Sequence, residues 1–458
     1  MASEIQLWFE VVACGVCVFL LLWRLLKFRS LGCKTMCIMT RTFHPVGQGA
    51  FYTEKFDFGK DSRGVELKLN VVYDCGSRSK GFEKKGARNA AVNAFGSKEQ
   101  IDGVFISHFD NDHVNGFPEL FKRVGHNVRH IFLPHLTDSD ILLGLLSKNP
   151  SARAFDKEMA CANAYRKLVM SGGVEDVLVR LGLDSKRENR PKVHLVLGAN
   201  WQKGDERPRN FPANEIGVVD SGVDVAPILF DSKGSYGSFR GLWRFCPYNY
   251  EIEPSGRRGE FLNVLKDFLR ANHLSFEKGV DTLLSSRDLL KSFKKCYCEK
   301  VSGEINENSM TLLSCANLPC MGEAAFNRYG VKALGPCCSK SRSGCLYTGD
   351  YDANGDERVN ALFGAYASYV GRVGCVQLPH HGSDKNYNEK LGELDVVFVA
   401  CYGKRNTFRH PGPQTMYHLG SKNRTVCLVS EDAKSKFIQE AYFSMRGCWR
   451  CLSTGCVK

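Results

Sequence analysis

Internal repeats and low-complexity segments are absent from this 458-residue chain, which excludes repeat architectures. Cysteine is too sparse, at 20 residues, for the density of a small disulfide scaffold. Many of these thiols lie in apolar strand-like runs (Cys75, Cys375, Cys401, Cys427), where a cysteine serves as a small buried hydrophobe. The denser stretch through Cys296, Cys298, Cys315, Cys320, Cys337, Cys338 and Cys345 lacks the paired Cys-x-x-Cys knuckles of a structural zinc site. Cys448-Trp-Arg-Cys451, with Cys456 beyond it, is a single Cys-x-x-Cys and reads as a redox pair, half a zinc site or tail thiols of no special role. Acidic residues are also in short supply. Lys plus Arg number 62 against 49 Asp plus Glu, a net charge of +13 that favours a polyanionic partner such as nucleic acid or an anionic membrane surface. The 43% hydrophobic and 24% charged fractions are those of a globular protein, excluding collagen-like, coiled-coil and wholly disordered chains. The length suits about three domains or one large enzyme with insertions.

Charge is missing from Val11 to Trp23, and between Leu7 and Leu26 only Glu10 and Arg24 interrupt the apolar run. About 20 residues at 1.5 Å rise just span a bilayer core, with Arg24 and Lys27 placed to snorkel into headgroups. Glu4 and Glu10 precede the run while Arg24, Lys27, Arg29 and Lys34 follow it, the reverse of a cleaved signal peptide. The expectation is a membrane helix within residues 1–34, N-terminus outside, with a cytoplasmic catalytic domain. An amphipathic surface helix or an upstream extension are the alternatives.

From about residue 35 onward, short apolar runs divided by Gly, Asn, Asp and Ser turns predict strands. They are Met36–Phe43, Leu67–Asp74, Ile101–Ser107, Val128–Leu133, Val193–Leu197, Gly241–Cys246, Met310–Cys315, Cys345–Thr348, Val373–Leu378, Val396–Cys401 and Thr425–Val429. Helical periodicity marks Phe117–Arg123, Ala152–Met170, Arg258–Ala271, Arg358–Tyr369 and Gly412–Leu419. This is an α/β layered pattern. Residues 137–190 and 250–300 read as helical, charged insertions expected to roof the functional edge. The domain expectation is a membrane segment at 1–34, a catalytic domain at 35–440 and a Cys-rich tail at 441–458.

The most informative segment follows the strand at Ile101. Ser107-His108-Phe-Asp110-Asn-Asp112-His113 places two imidazoles and two carboxylates in one turn, where divalent cations find the ligands they favour. Three later segments have the same character: Thr348-Gly349-Asp350, Pro379-His380-His381-Gly382-Ser383, and Asn406-Thr-Phe-Arg409-His410-Pro411. Each alone is weak, but their ordered recurrence at predicted strand ends points to metal-assisted hydrolysis of a phosphoryl or carbonyl group without a covalent enzyme intermediate.

With Val46-Gly47-Gln48-Gly49, Tyr73-Asp74-Cys75-Gly76 and Asn306-Glu-Asn308-Ser309, this set resembles the metallo-β-lactamase-like hydrolases. It is most similar to the branch found as the soluble domain of ComEC-type competence DNA-uptake proteins. The resemblance spans about residues 36 to 430, outside the insertions. It implies an αββα metallo-β-lactamase-like sandwich, here with helical insertions and an N-terminal hydrophobic helix, binding one or two divalent ions, zinc or manganese. Carried over, His108 and Asp110 serve one metal, Asp112 and His113 a second, and Asp350 bridges them. His380 completes the metal shell, and Asp112, His381 and His410 are the catalytic side chains, the histidines contacting the leaving phosphate. Asp74 orients the metal loop through hydrogen bonds, while Asn308 and Ser309 are structural. The chain departs from the pattern where Pro45 and Ala50 replace acidic residues beside the opening motif. Asp110 stands where the wider superfamily has a histidine, which favours harder metals such as manganese. For a remaining ligand position only His130 and His135 offer themselves. The long channel-forming region of competence proteins is absent, so DNA import by this chain alone is not implied.

The leading expectation is a metal-dependent phosphodiesterase or nuclease, with Lys385, Lys404, Arg405 and Arg409 binding phosphates. No aromatic platform for stacking bases is evident in the sequence. Alternatives are hydrolysis of a small phosphoester, nucleotide signal, lactone or thioester, and a membrane-tethered sensor or effector whose metal domain binds a ligand. Protein partners stay open.

Overall fold

Strict alternation of side chains along the central strands shows how this chain builds its layers. A computed structural model describes residues 36–60, 64–79, 90–91, 93–137, 141–142, 152–184, 189–199, 216–231, 241–250, 257–300, 309–317, 324–329, 332–334 and 342–444. Its strands are β1 (Met36–Phe43), β2 (Phe51–Lys60), β3 (Glu66–Cys75), β4 (Ile101–Phe105), β5 (Val128–Pro134), β6 (Lys192–Val196), β7 (Ile216–Val219), β8 (Trp243–Tyr248), β9 (Thr311–Ala316), β10 (Ala324–Tyr329), β11 (Lys332–Leu334), β12 (Gly344–Tyr347), β13 (Val373–Gln377), β14 (Val397–Cys401), β15 (Val426–Val429) and β16 (Phe437–Ser444). One sheet has 10 strands in the order β11-β10-β16-β1-β2-β3-β4-β5-β6-β7, and the other has 6 in the order β15-β14-β13-β12-β9-β8.

Successive strand residues face opposite sides of a sheet. In the large sheet Val71, Tyr73 and Phe105 face the small sheet, while Val72, Val104 and Ile106 face the helices outside. In the small sheet Val397, Val399 and Cys401 face inward while Phe398 and Ala400 face out. Both sheets are thus apolar on two faces and need a helical layer each. The large sheet is covered by Phe117–Arg123, Ala152–Ser171, Arg257–Ala271, Phe276–Ser285 and Arg287–Lys300. The small sheet is covered by Asp356–Ala365, Glu389–Gly392 and Pro413–Ser421. The arrangement is a four-layered αββα sandwich.

Charge is buried between the sheets. Arg41 of β1 is fully buried, and its Nε donates to Glu54 Oε1 of β2 at 2.8 Å. Tyr347 and Ser314 of the small sheet donate to the same carboxylate at 2.8 and 2.6 Å, and Gln439 of β16 accepts from Arg41. Removing one member of such a network typically costs about 3–5 kcal/mol, because the rest is left charged and unpaired.

The stretches at 137–190 and 250–300 hold helices that pack on one another, Asn163 Nδ2 donating to the Leu284 carbonyl at 3.0 Å. The first of them reaches the functional edge. Tyr165 hydrogen-bonds the Pro134 carbonyl, and its ring meets Phe109, next to His108, at 5.0 Å. Strands β2, β7, β10, β11 and β16 have no counterpart among the sequence expectations. β16 carries the large sheet to Ser444, into the stretch read as tail. The expected helix at Arg358–Tyr369 starts at Asp356 and ends at Ala365 instead. The N-terminal helix expected within residues 1–34, most of the Cys-rich tail, Asn306 and Asn308, and Cys320, Cys337 and Cys338 lie outside the described residues. Among the described residues no helix is long and apolar enough to cross a membrane.

Candidate metal centre

Five strands of the two sheets release their chain at one edge of the sandwich, and each leaves chemically active side chains there. β3 ends at Asp74 and Cys75, β4 runs into Ser107 and His108, β12 into Asp350, β13 into His380 and His381, and β14 into the loop ending at His410. Close backbone approach holds the first of these loops. Ala50 N donates to the Asp112 carbonyl at 3.0 Å, Gly76 N to the Ala50 carbonyl at 2.8 Å, and Gly116 N to the Cys75 carbonyl at 2.8 Å. A Cβ on Gly76 would lie 2.6 Å from both the Asp112 oxygen and the His113 nitrogen, so only glycine fits. The glycines of Val46-Gly-Gln-Gly49 and Asp74-Cys-Gly76 are packing requirements of this junction.

The Asp350 turn is fixed by Gln377 of β13. Its Oε1 accepts from Thr348 N at 3.0 Å and Gly349 N at 2.9 Å, and its Nε2 donates to the Gly349 carbonyl at 3.1 Å. Ser309 Oγ accepts from Asp350 N at 3.0 Å, giving that serine the structural role expected of it. His380 and His381 have φ of 46° and 60°, a left-handed conformation unusual for side chains of their size, and such strain concentrates at functional sites.

Four histidines of the edge are each held by one ring nitrogen and offer the other. His113 Nδ1 is 2.8 Å from Asp74 Oδ2, His381 Nδ1 2.9 Å from the Cys401 carbonyl, His380 Nδ1 3.0 Å from Asn386 Oδ1, and His108 Nδ1 2.9 Å from Ser107 Oγ. Ser107 Oγ in turn donates to Asp74 Oδ2 at 2.7 Å, and Asp74 Oδ1 accepts from Ser107 N at 2.8 Å. Oxygen acceptors at Nδ1 fix the proton there and leave the Nε2 lone pair free, as ligating histidines require. The Nε2 atoms converge on two carboxylates. His113 Nε2 is 3.2 Å from Asp350 Oδ1, His380 Nε2 3.6 Å and His108 Nε2 3.7 Å from Asp350 Oδ2, and His381 Nε2 3.6 Å from Asp112 Oδ2.

Two sets of donors lie close enough to share an ion: His108, His113 and Asp350, and Asp112, His113 and His381. The donor set suits a divalent cation. His113 Nε2, His381 Nε2 and Asp350 Oδ1 are buried without a hydrogen bond, facing one another, and buried polar atoms are left so only where something else satisfies them. Burial opposes ionisation of Asp350 and Asp112, yet His380 and His113 hold Asp350 well below the carboxylate range, and Arg78 and His381 hold Asp112 down at about 2. Burial opposes charge on His113 as well, but Asp350 and Asp74 raise it well above an ordinary imidazole. Burial and His113 lower His108 to about 4.

The grouping departs from the sequence expectation at three residues. Asp110, expected beside His108, has Oδ2 3.2 Å from Arg78 Nη2 and stands outside both sets. His380, expected as a ligand, is 41% exposed at the rim, while His381, expected in catalysis, is 2% exposed and inside. Single-residue motif reading cannot tell which of two adjacent histidines turns inward. His410 packs on both, its ring centroid 5.3 Å from His380 and 6.1 Å from His381, and burial with these neighbours lowers it to about 3. His130 meets His194 at 3.1 Å, beside a cavity lined by residues that open β5 and β6, at the opposite end of the parallel strands from His108. His135 is buried and in neither donor set. No described cysteine belongs to either set. Lys385, Lys404, Arg405 and Arg409 are exposed, Lys404 Nζ lying 3.6 Å from Asp432.

Arg78, Ser107 and Gln377 were not foreseen. Arg78 Nε lies 3.1 Å from Asp112 Oδ1, making it the cation closest to that carboxylate among the described contacts. Its place after Asp74-Cys-Gly76 was the one available signal.

No family model matches the sequence, and no curated protein matches it. Two solved structures are similar at 10% identity and a TM-score of 0.29: a long form RNase Z from yeast, matched over 80% of this chain and 36% of that one, and human tRNase Z, short form, over 85% and 92%. This chain thus spans about a third of the yeast protein. Likeness at that level is too remote to carry an assignment.

Proposed function

We propose that this chain is a metal-dependent hydrolase of the metallo-β-lactamase type, of the branch that its motifs resemble, acting on phosphodiesters with nucleic acid as the favoured substrate. The observation that carries this reading is the set of histidines whose Nδ1 atoms are each tied to an oxygen while their Nε2 atoms meet at two carboxylates, Asp112 buried and Asp350 partly buried. His108, His113 and Asp350, with Asp112 and His381, would hold the cation. A bound divalent ion, zinc or manganese, supplies Lewis acidity toward a phosphoryl oxygen and lowers the pKa of water.

The protein's own part is positioning and charge. Asp74 and Ser107 fix His113 and His108 before any ligand arrives. Arg78, 35% exposed and paired with both Asp112 and Asp110, brings positive charge beside the centre, which favours an approaching phosphate. His410, kept neutral by burial and its neighbours, stands beside His381, where its ring N–H would offer a hydrogen bond to a leaving oxygen. Exposed Lys385, Lys404, Arg405 and Arg409 and the net charge of +13 favour a polyanion over a neutral lactone. The run at residues 7–26 supports membrane attachment of the hydrolase on the cytoplasmic side.

The test is cleavage of end-labelled single- and double-stranded DNA and RNA with manganese, magnesium or zinc, against Asp112→Ala of unchanged circular dichroism. Metal-dependent cutting that disappears in the variant is expected, a loss of at least about a hundredfold. Protein that carries metal yet cuts no polynucleotide would redirect the assignment to small phosphoesters, assayed in the same preparation.

A further inference from the structure

Exposed large apolar side chains are few among the described residues: four valines, Tyr417 and Phe408. Scattered surface hydrophobes need no explanation, but Phe408 is placed differently. It is 58% exposed and continues a column of rings that begins inside the metal centre. His113 and His381 are 5.8 Å apart between centroids, His381 and His410 6.1 Å at an interplanar angle of 25°, and His410 and Phe408 5.8 Å at 26°. The innermost pair, His113 and His381, is tilted by 48°, while Phe408, the outermost ring, lies within 26° of the plane of His410 and is exposed.

The loop that presents this ring is rigidly tied. Asn406 Oδ1 accepts from His410 N at 2.9 Å, and its Nδ2 donates to the carbonyls of Gly403 and His410 at 2.6 and 2.8 Å. Gly412 N donates to the Gly382 carbonyl at 2.8 Å, pinning the loop to the turn that carries His381. Lys404, Arg405 and Arg409 belong to the same loop as the ring and are exposed, Lys404 Nζ lying 3.6 Å from Asp432. An aromatic side chain on the ring column that leads out of the metal centre, on a loop tied by its backbone and carrying exposed cations, has the chemistry that receives a nucleotide: ring on ring for the base, cations for the phosphates.

We propose that Phe408 is the stacking platform for a nucleobase that flanks the bond cleaved at the metal centre, an inference that rests on the phosphodiesterase reading above. It supplies the aromatic surface whose absence from the sequence pattern argued against a nuclease. A base seated there sets the register of the strand, so the phosphate beside it meets Asp112 and Asp350.

The experiment uses the full chain and fluorescent single-stranded oligonucleotides of one sequence, with a single abasic nucleotide stepped along them. Binding is read by anisotropy, in EDTA and with manganese on phosphorothioate strands, and cleavage by kcat/KM. Phe408→Ala is expected to weaken binding of the intact strand by about tenfold, the factor one base-on-aromatic stack carries, with the loss in KM and with Phe408→Trp restoring it. An abasic nucleotide at one position should cost the wild type the same factor and cost Phe408→Ala nothing further. Equal binding by wild type and Phe408→Ala overturns the proposal, as does a loss in the variant that persists at every abasic position. Wild type that binds but never cuts overturns the nuclease reading alone, since anisotropy still decides the platform. Wild type that binds no oligonucleotide overturns both.

Discussion

Asp74 is fully buried behind the cluster, yet it ties two residues of the metal loop, Ser107 and His113, through three hydrogen bonds. One oxygen takes the Ser107 amide and the other takes the Ser107 hydroxyl and His113 Nδ1. Its φ of 53° is one that Asn also tolerates. Asp74→Asn should therefore fold but lose the charge that orients His113, weakening metal affinity by about ten- to a hundredfold. Titration of metal-free protein with zinc or manganese, read by calorimetry, checks this, and wild-type affinity in the variant would deny Asp74 its positioning role. At this scale much of the site was legible, since Asp112, His113 and Asp350 announce themselves as metal-binding types in a strand-end turn. What the sequence hid is direction. Arg78 and Gln377 are ordinary polar residues until folding brings them to Asp112 and to the Asp350 turn, and no local pattern decides between His380 and His381.

Elements were read well where apolar residues dominate the run and poorly where polar residues interrupt both faces. β1, β4, β13 and β14 alternate or run apolar and lie within a few residues of their expected bounds. β2 and β16 were missed because a polar residue in the inward-facing row, Glu54 or Gln439, joins charge on the outward row, Lys55 and Asp57 or Glu440, whereas β1 carries no charge besides Arg41. Glu54 and Gln439 meet Arg41, the polar inward residue of β1. A strand that buries a polar group against a partner far away in sequence and carries charge on its other face looks, on its own, like a solvated segment. The turn between β3 and the metal loop gives this scale its prediction. Gly76→Ala forces a Cβ against the Asp112 and His113 backbone, a contact with no flexible side chain to yield. It should destabilise the protein by about 1–3 kcal/mol, as overpacking does, and lower metal affinity together with stability. Urea unfolding with and without metal measures both, and an unchanged midpoint would show that the junction can open.

Across the whole molecule, acid should be destabilising even after metal is removed. Burial holds His44 down to about 3, with Lys436 and Lys55 adding to it, and His194 down to about 3, with His130 and Lys192 adding. Both folded values lie below the roughly 6.5 of an unfolded histidine, so the unfolded chain takes up protons first as pH falls. Their contribution is complete above that value and is lost progressively toward about 3. At pH 5 each costs about 2 kcal/mol relative to pH 7. Urea unfolding in EDTA at the two pH values should show the drop, and His44→Gln should reduce it; an identical drop in the variant would remove His44 from the account. The sandwich also has an orientation. Met36 pairs with Ser444 at the outer end of β1, while the other end of β1 leads through Val46–Gly49 to the metal loop. Whatever precedes residue 36 and follows residue 444 thus leaves the domain at one point, roughly 24 Å along the strand from the catalytic edge. A fluorophore or surface tether joined at residue 36 or at residue 444 would therefore attach at the far end of β1 from the histidine column and leave the column's mouth uncovered.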